Sequence, residues 1–392
     1  MNHQSESIKK RADRVADAVE KWLSPGNTEL AAAIDRTVEE KLFSRQDIEF
    51  QLRALRQTLT RSELRRWVGE RQPGSGEAFA GGKASTVEKS SAGEKDFAGQ
   101  EHSEGGKALC LHAGNLPLVG VQDLLAVALS GYHYTGKVSR KDPWLLPTLI
   151  DKLREEEVLS RPEVSADLQE LSGAEADRVL FAGSGRSVER VRDEIKRLGL
   201  ARGGARFLVR TAHYSMAVIR SDSPVTINSL MESVLRFGGK GCRSVAVVFA
   251  PFGLNSGVCD LTDYAEAFWV KNPQHDQPPA SLRYRYAYNK AAEHCQIWLE
   301  DFLFEETRMR PEESFVLHWL QGGIDEAVEF IQEFGGGLQT LYLDDPLMEE
   351  NAGDIVVPGL TIRSEPLKRA HQPPVDWQPD GVDPLEWLLT EV

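Results

Sequence analysis

The sequence predicts an α/β fold built on a parallel, doubly wound sheet. Two observations carry that expectation. From Ala108 onward short apolar runs alternate with helix-patterned ones, the order that generates strand–helix–strand units. One such run, "DRVLFAGSGRSVERVRDEIKRLGL", passes from strand to helix through a Gly/Ser turn. With 392 residues the chain has room for two or three cooperating domains and a sizeable core.

The elements follow in chain order. Residues 8–70 read as helices: Val15, Val19 and Leu23 recur at i+4, and Ile48, Leu52, Leu55 and Leu59 line a second run. From Gln72 to about Lys107 the composition shifts to Gly, Ser, Glu, Lys and Ala, which marks a linker or mobile loop. "KALCLHAGNLPLVG" is a short apolar strand ending in a loop, and "QDLLAVALSGYHYTGKVSRKD" is a helix, Gly131, and a strand ending at Lys137. After the strand at "DRVLFAG", the next helix carries Val188, Val191, Ile195 and Leu198 on one face. "ARFLVRTA" and "SMAVIRSD" are further strands. A helix with Ile227, Leu230 and Val234 then runs into Gly238-Gly239.

Bulk properties narrow the function. The net charge of −14 argues against nucleic acid as the main partner, because phosphate backbones need a basic surface. The N-terminus is too charged for a signal peptide and no 18-residue apolar run occurs, so no membrane span and a cytoplasmic location are expected. The four cysteines, Cys110, Cys242, Cys259 and Cys295, form no CxxC and no zinc-type cluster, so no metal is expected. In a reducing compartment each is a small apolar filler or a reactive thiol.

Four places along the chain can carry chemistry. Gly183 and Ser184 feed a helix N-terminus, where free N–H groups and the helix dipole favour an anion such as pyrophosphate; a routine strand-to-helix connection has the same pattern. Asn115, just past a strand, can offer a carboxamide N–H to an oxyanion or simply make its own turn. Lys137 can reach a ribose or phosphate, or stay solvated. Cys242 has three glycines in the five residues before it, with Lys240 and Arg243 alongside to favour thiolate. An exposed Cys at a tight turn is the alternative. Cys110 belongs to an apolar strand, and Cys295 to a predicted helix, "NKAAEHCQIWLEDFL".

Taken together, Asn115-Leu116-Pro117, Lys137-Val138-Ser139, Phe181-Ala182-Gly183-Ser184 and Cys242 resemble, in order and rough spacing, the motifs of the aldehyde dehydrogenase superfamily. "HAGNLPLVGVQDLL", "LSGYHYTGKVSRKDPWLLP", "FGGKGCRSV" and "DGVDPLEWLL" are closer still to the acyl-CoA reductase family that includes the reductase component of bacterial luminescence systems. The resemblance covers roughly residues 105–392.

It implies an aldehyde dehydrogenase-like architecture, with a doubly wound nucleotide-binding domain and a second α/β catalytic domain. The expected division is an N-terminal helical region (1–72), a linker (73–107), the nucleotide-binding domain (108–235), the catalytic domain (236–345) and a C-terminal return segment (346–392). The implied reaction is NAD(P)H-dependent reduction of an acyl-CoA or acyl-carrier thioester to an aldehyde. Cys242 is the nucleophile, Asn115 an oxyanion donor, and Lys137, Ser139, Gly183 and Ser184 hold the cofactor. Arg140 and Lys141, near Lys137, favour NADPH as donor, with NADH the alternative. The water-activating Glu of hydrolytic relatives has no counterpart in "VRTAHYSMAVI", where Arg210 stands near its place, with His213 close by. An acyl-phosphate reductase and a non-catalytic scaffold partner are the rival readings. A homo-oligomer or a complex with an acyl-activating enzyme are the partner arrangements left open.

Overall fold

The computed structural model describes residues 3–69, 106–211, 214–273, 277–334, 337–344, 353–357 and 360–390. His213 and most of the expected linker lie outside these residues. The described residues form two compact units: one takes the chain up to residue 211 and again from Pro374, the other runs from 212 to 373. The sequence places the corresponding breaks at 235/236 and 345/346. Strand pairing is the reason for the difference, because Tyr214–Val218 pairs on both sides within the second sheet and carries its following helix with it.

The first unit opens with α1 (His3–Trp22), α2 (Thr28–Glu39), α3 (Arg45–Thr58) and α4 (Arg61–Gly69). Asn27 caps α2 by accepting from the N–H groups of Glu29 and Leu30, and Ser44 caps α3 by accepting from Asp47 N–H. These helices share one core with the rest of the unit: Val15, Trp22, Ile48 and Trp67 cluster with Leu124, Leu149 and Leu385. The α/β part is β1 (Lys107–Leu111), α5 (Val121–Ser130), β2 (His133–Lys137), α6 (Leu145–Glu155), β3 (Glu163–Ser165), β4 (Ala176–Gly183), α7 (Val188–Arg197) and β5 (Ala201–Thr211). After the second unit the chain returns as α12 (Pro384–Leu389). Asp383 caps α12 by accepting from Leu385 N–H at 2.8 Å, and also accepts from Trp67 Nε1 at 2.9 Å.

Its sheet has the order β3-β2-β1-β4-β5, with every pair parallel. The chain winds outward from β1 to β3, returns to β4 on the other side of β1, and continues outward to β5. Connections therefore diverge at β1 and β4, the crevice where open α/β sheets bind ligands. Leu111 pairs with both Lys137 and Phe181, so the loops after β1, β2 and β4 all leave from one edge.

The second unit comprises β6 (Tyr214–Val218), α8 (Pro224–Leu235), β7 (Val245–Ala250), α9 (Leu261–Lys271), α10 (Ala280–Ala291), β8 (Gln296–Leu299) and β9 (Phe302–Glu306). It continues with β10 (Val316–Gln321), α11 (Ile324–Phe334), β11 (Leu338–Leu343), β12 (Gly353–Val357) and β13 (Leu360–Pro366). The sheet order is β12-β13-β11-β6-β7-β10-β9-β8, antiparallel only at its two outermost pairs. Met216 and Val218 of β6 pack with Phe330 and Ile331 of α11, whereas Ala217 packs with Ile227 and Leu230 of α8. Helices on both faces explain why β6 is buried along its whole length rather than alternately. Cys295 is not on a helix: α10 stops at Ala291, Glu293 turns at φ +55°, and Cys295 leads directly into β8.

Candidate active site

Five of the six predicted site residues lie on the carboxyl edge of the first sheet. Asn115 follows β1, Lys137 ends β2 with Ser139 just beyond it, and Gly183 and Ser184 close β4. Backbone geometry draws the first two loops together. The N–H of His112 donates to Lys137 O at 3.0 Å. A Cβ on Gly114 would sit 2.1 Å from Ser139 Oγ, so only glycine allows this approach. The Asn115 side chain is exposed.

Lys137 is partly buried. Burial lowers its pKa, nearby Arg140 adds to that, and Asp167 works against it. Arg140 and Lys141 are exposed. The only carboxylate of this loop, Asp142, is turned inward and 3% exposed. The sequence reading misses Asp142, although an Asp-Pro three residues ahead of an apolar helix is a start signal.

Beyond β4, Ser184 and Ser187 lock the turn: Ser187 Oγ donates to Ser184 O at 2.7 Å and its N–H to the same carbonyl at 3.0 Å. A short 3₁₀ turn, Gly185–Ser187, leads into α7 with no side-chain cap, and the N–H of Val188 at the head of α7 donates to Gly185 O.

Arg210, near the end of β5, donates to Asp123 of α5; the two are 7% and 6% exposed. Burial pulls the guanidinium pKa down and Asp123 more than restores it, so Arg210 stays charged. This residue is a buried ion-pair partner, not a base.

Cys242 belongs to the second unit. Its loop runs through the left-handed region at four positions, Phe237 (φ +59°), Gly238 (+64°), Gly239 (+69°) and Gly241 (+99°). Three of these are glycine, the residue that tolerates such angles without strain. Phe315 N–H donates to Gly238 O at 3.2 Å, Ser244 Oγ to Lys240 O at 2.6 Å, and Ser215 Oγ to Cys242 O at 2.7 Å. Cys242 itself is half-buried.

Arg243, adjacent to Cys242, interacts electrostatically with it but is not a solvent-facing cation. It is buried and held by Glu365, with Nη2 to Oε2 at 2.5 Å and Nη1 to Oε1 at 3.2 Å, and its Nε donates to Ala370 O at 2.6 Å. Burial lowers its pKa, but Tyr342 and Glu365 more than offset that, so the charge persists and is compensated by Glu365. Of the two cations flanking Cys242, Lys240 is the more exposed; its Nζ lies 5.4 Å from the Phe315 ring centroid.

Among the described residues no group of three or more His, Cys, Asp or Glu side chains could hold a metal, and no helix is long and apolar enough to cross a membrane.

No protein-family model matches the chain, and no curated protein does. Solved structures do match in fold. An NAD-dependent aldehyde dehydrogenase from Sinorhizobium meliloti aligns over 87% of this chain and 70% of its own, at 13% identity and a TM-score of 0.56. A putative methylmalonate-semialdehyde dehydrogenase from the same organism, complexed with NAD, aligns over 92% and 79% at 14% identity and a TM-score of 0.53. A putative aldehyde dehydrogenase from Burkholderia cenocepacia aligns over 87% and 73% at 12% identity and a TM-score of 0.52. The chain has an aldehyde dehydrogenase-like fold.

Proposed function

We propose that the protein reduces an acyl thioester, carried on CoA or on a carrier protein, to the aldehyde through an acyl-enzyme on Cys242. The observation that supports this most is the set of groups on one sheet edge. The Asn115 loop, Lys137, Ser139 and the Gly183-Ser184 turn share the crevice edge that binds nucleotides in open α/β sheets. Lys137 and Ser139 suit a ribose, and the Gly183-Ser184 turn ahead of α7 suits a pyrophosphate. The cations Lys137, Arg140 and Lys141, with Asp142 withdrawn, favour a 2′-phosphate and hence NADPH.

In this reading the Cys242 thiolate attacks the thioester carbonyl and the departing CoA thiolate takes up a proton. The Asn115 carboxamide and the Cys242 N–H stabilise the oxyanion. NAD(P)H, when bound, supplies hydride. The resulting thiohemiacetal oxyanion collapses to aldehyde and returns the thiolate to Cys242. Arg210 cannot accept a proton at neutral pH, so its place offers no base to hydrolyse the acyl-enzyme. An enzyme that activates acyl groups as thioesters is the class that would supply such a substrate.

The test is NADPH oxidation with acyl-CoA esters of several chain lengths, quantifying aldehyde and free CoA. Equimolar release of both supports the proposal. Turnover with acyl phosphates alone would favour the rival reductase.

A further inference from the structure

We infer that Asp142 is a positioning residue that holds the Asn115 loop in register with the cofactor-side loop after β2; this rests on the function proposed above. The carboxyl spans the two loops. Oδ2 accepts from the N–H of Leu118 at 2.8 Å, 24 positions away, and Oδ1 accepts from Leu145 N–H at 3.2 Å at the start of α6. The N–H of Asp142 donates to Ser139 O at 3.1 Å, so the carboxyl is tied to the loop that bears Ser139.

The other end of the clamp needs fixing. Leu118 is in the left-handed region at φ +60° and is 1% exposed. A β-carbon-bearing residue keeps that conformation only where its surroundings hold it. Its O accepts from Val121 N–H at 3.2 Å at the head of α5, and its N–H has the Asp142 carboxylate. Asn115 therefore hangs between two fixed points. On one side are the His112–Lys137 bond and the Gly114–Ser139 contact, and on the other is Leu118. An oxyanion donor acts only when its N–H points at the place where charge develops, and a loop free to drift loses that aim. Burial of an acid here, against the ordinary preference of carboxylates for water, fits a role that an apolar residue could not fill.

Asp142→Ser separates this role from a general structural one. The serine hydroxyl can still accept from Leu145 N–H and start α6, but it is too short to bridge to Leu118 as well. Four proteins are compared: wild type, Asp142→Ser, Asn115→Ala and the double variant. The readouts are the single-turnover rate of Cys242 acylation by acyl-CoA, and NADPH affinity by fluorescence titration. Asp142→Ser alone should slow acylation roughly 10-fold with NADPH affinity held within about two-fold, and in the Asn115→Ala background it should change the rate by less than about two-fold. Additive losses in the double variant, or undiminished acylation in Asp142→Ser, would overturn the inference. A folding defect is recognised by a matching drop in NADPH affinity and Tm, and that outcome also counts against a positioning role. If wild type shows no acylation, the proposed function fails first and independently.

Discussion

The fold treats its four thiols differently. Cys110 is fully buried in β1, and burial pushes its pKa well up. Cys295 is pushed up to about 11 by burial, with the Glu306 carboxylate adding to it, and Cys259 is raised by burial with Asp222 and Asp260 adding. All three are held as thiols at neutral pH, and the thiolate is the reactive form. Iodoacetamide at pH 7 should therefore modify Cys242 alone in the folded protein, as read by peptide mapping, with the other three reacting only after denaturation. Cys110→Ala should keep activity and lose about 1–2 kcal/mol of stability. Asn115→Ala should lower kcat about 10²-fold with cofactor affinity unchanged, since its N–H acts on charge that develops in the transition state. Lys137→Ala should do the reverse, weakening NADPH in a fluorescence titration while acylation persists. Unchanged affinity in that variant would remove Lys137 from the cofactor site.

At the scale of elements, the Cys242 loop depends on what lies behind it. Arg243 and Glu365 form a buried bidentate pair 122 positions apart in sequence. Removing one partner strands the other charge, so Glu365→Gln should cost about 3–5 kcal/mol in denaturant unfolding. An exposed Arg243 would make that change nearly silent. This pair also shows what the sequence could not reveal. Strand ends carrying Asn115, Lys137 and Gly183-Ser184 are legible because apolar runs stop at small and polar residues, which is local information. The glycines before Cys242 are legible for the same reason. Arg243–Glu365, Arg210–Asp123 and Asp142–Leu118 are pairings between distant segments, and nothing in the local pattern of either segment announces them. Cys295 is misplaced because the helical pattern of α10 runs on into residues that the β8–β9 hairpin claims.

At the scale of the whole molecule, the division into units was less legible than the motifs, because β6 and α8 look the same whichever sheet they join. Acid stability follows from groups in both units. Burial holds His112 at a pKa of about 4 and His371 at about 3, each below the ordinary histidine value of 6.5. The unfolded chain thus binds more protons below pH 6.5, and stability present above that pH is lost as the pH falls. Asp142, raised by burial to about 6, acts in the opposite sense and costs stability as pH rises from 4 to 6. Tm should fall as the pH drops below 6.5, and His371→Gln, which can still donate to Ser233 O, should flatten that fall. A profile unchanged by the substitution would show that His371 is not a source of acid lability. The reaction proposed for the molecule also has a direction. If, as the proposed function has it, Arg210 paired with Asp123 stands where hydrolytic relatives carry their base, aldehyde oxidation with NADP⁺ should be slow and should accelerate when free CoA is added, giving acyl-CoA.

The central claim is that Cys242 carries the acyl group, and peptide-mapping mass spectrometry tests it most directly. The protein is mixed with an acyl-CoA in the absence of NAD(P)H, quenched in acid and digested. The account predicts one acyl group per chain on the peptide containing Cys242, released as aldehyde when NADPH is added before the quench. Acyl groups on another residue, or an unmodified Cys242 in a preparation that still makes aldehyde, would contradict it.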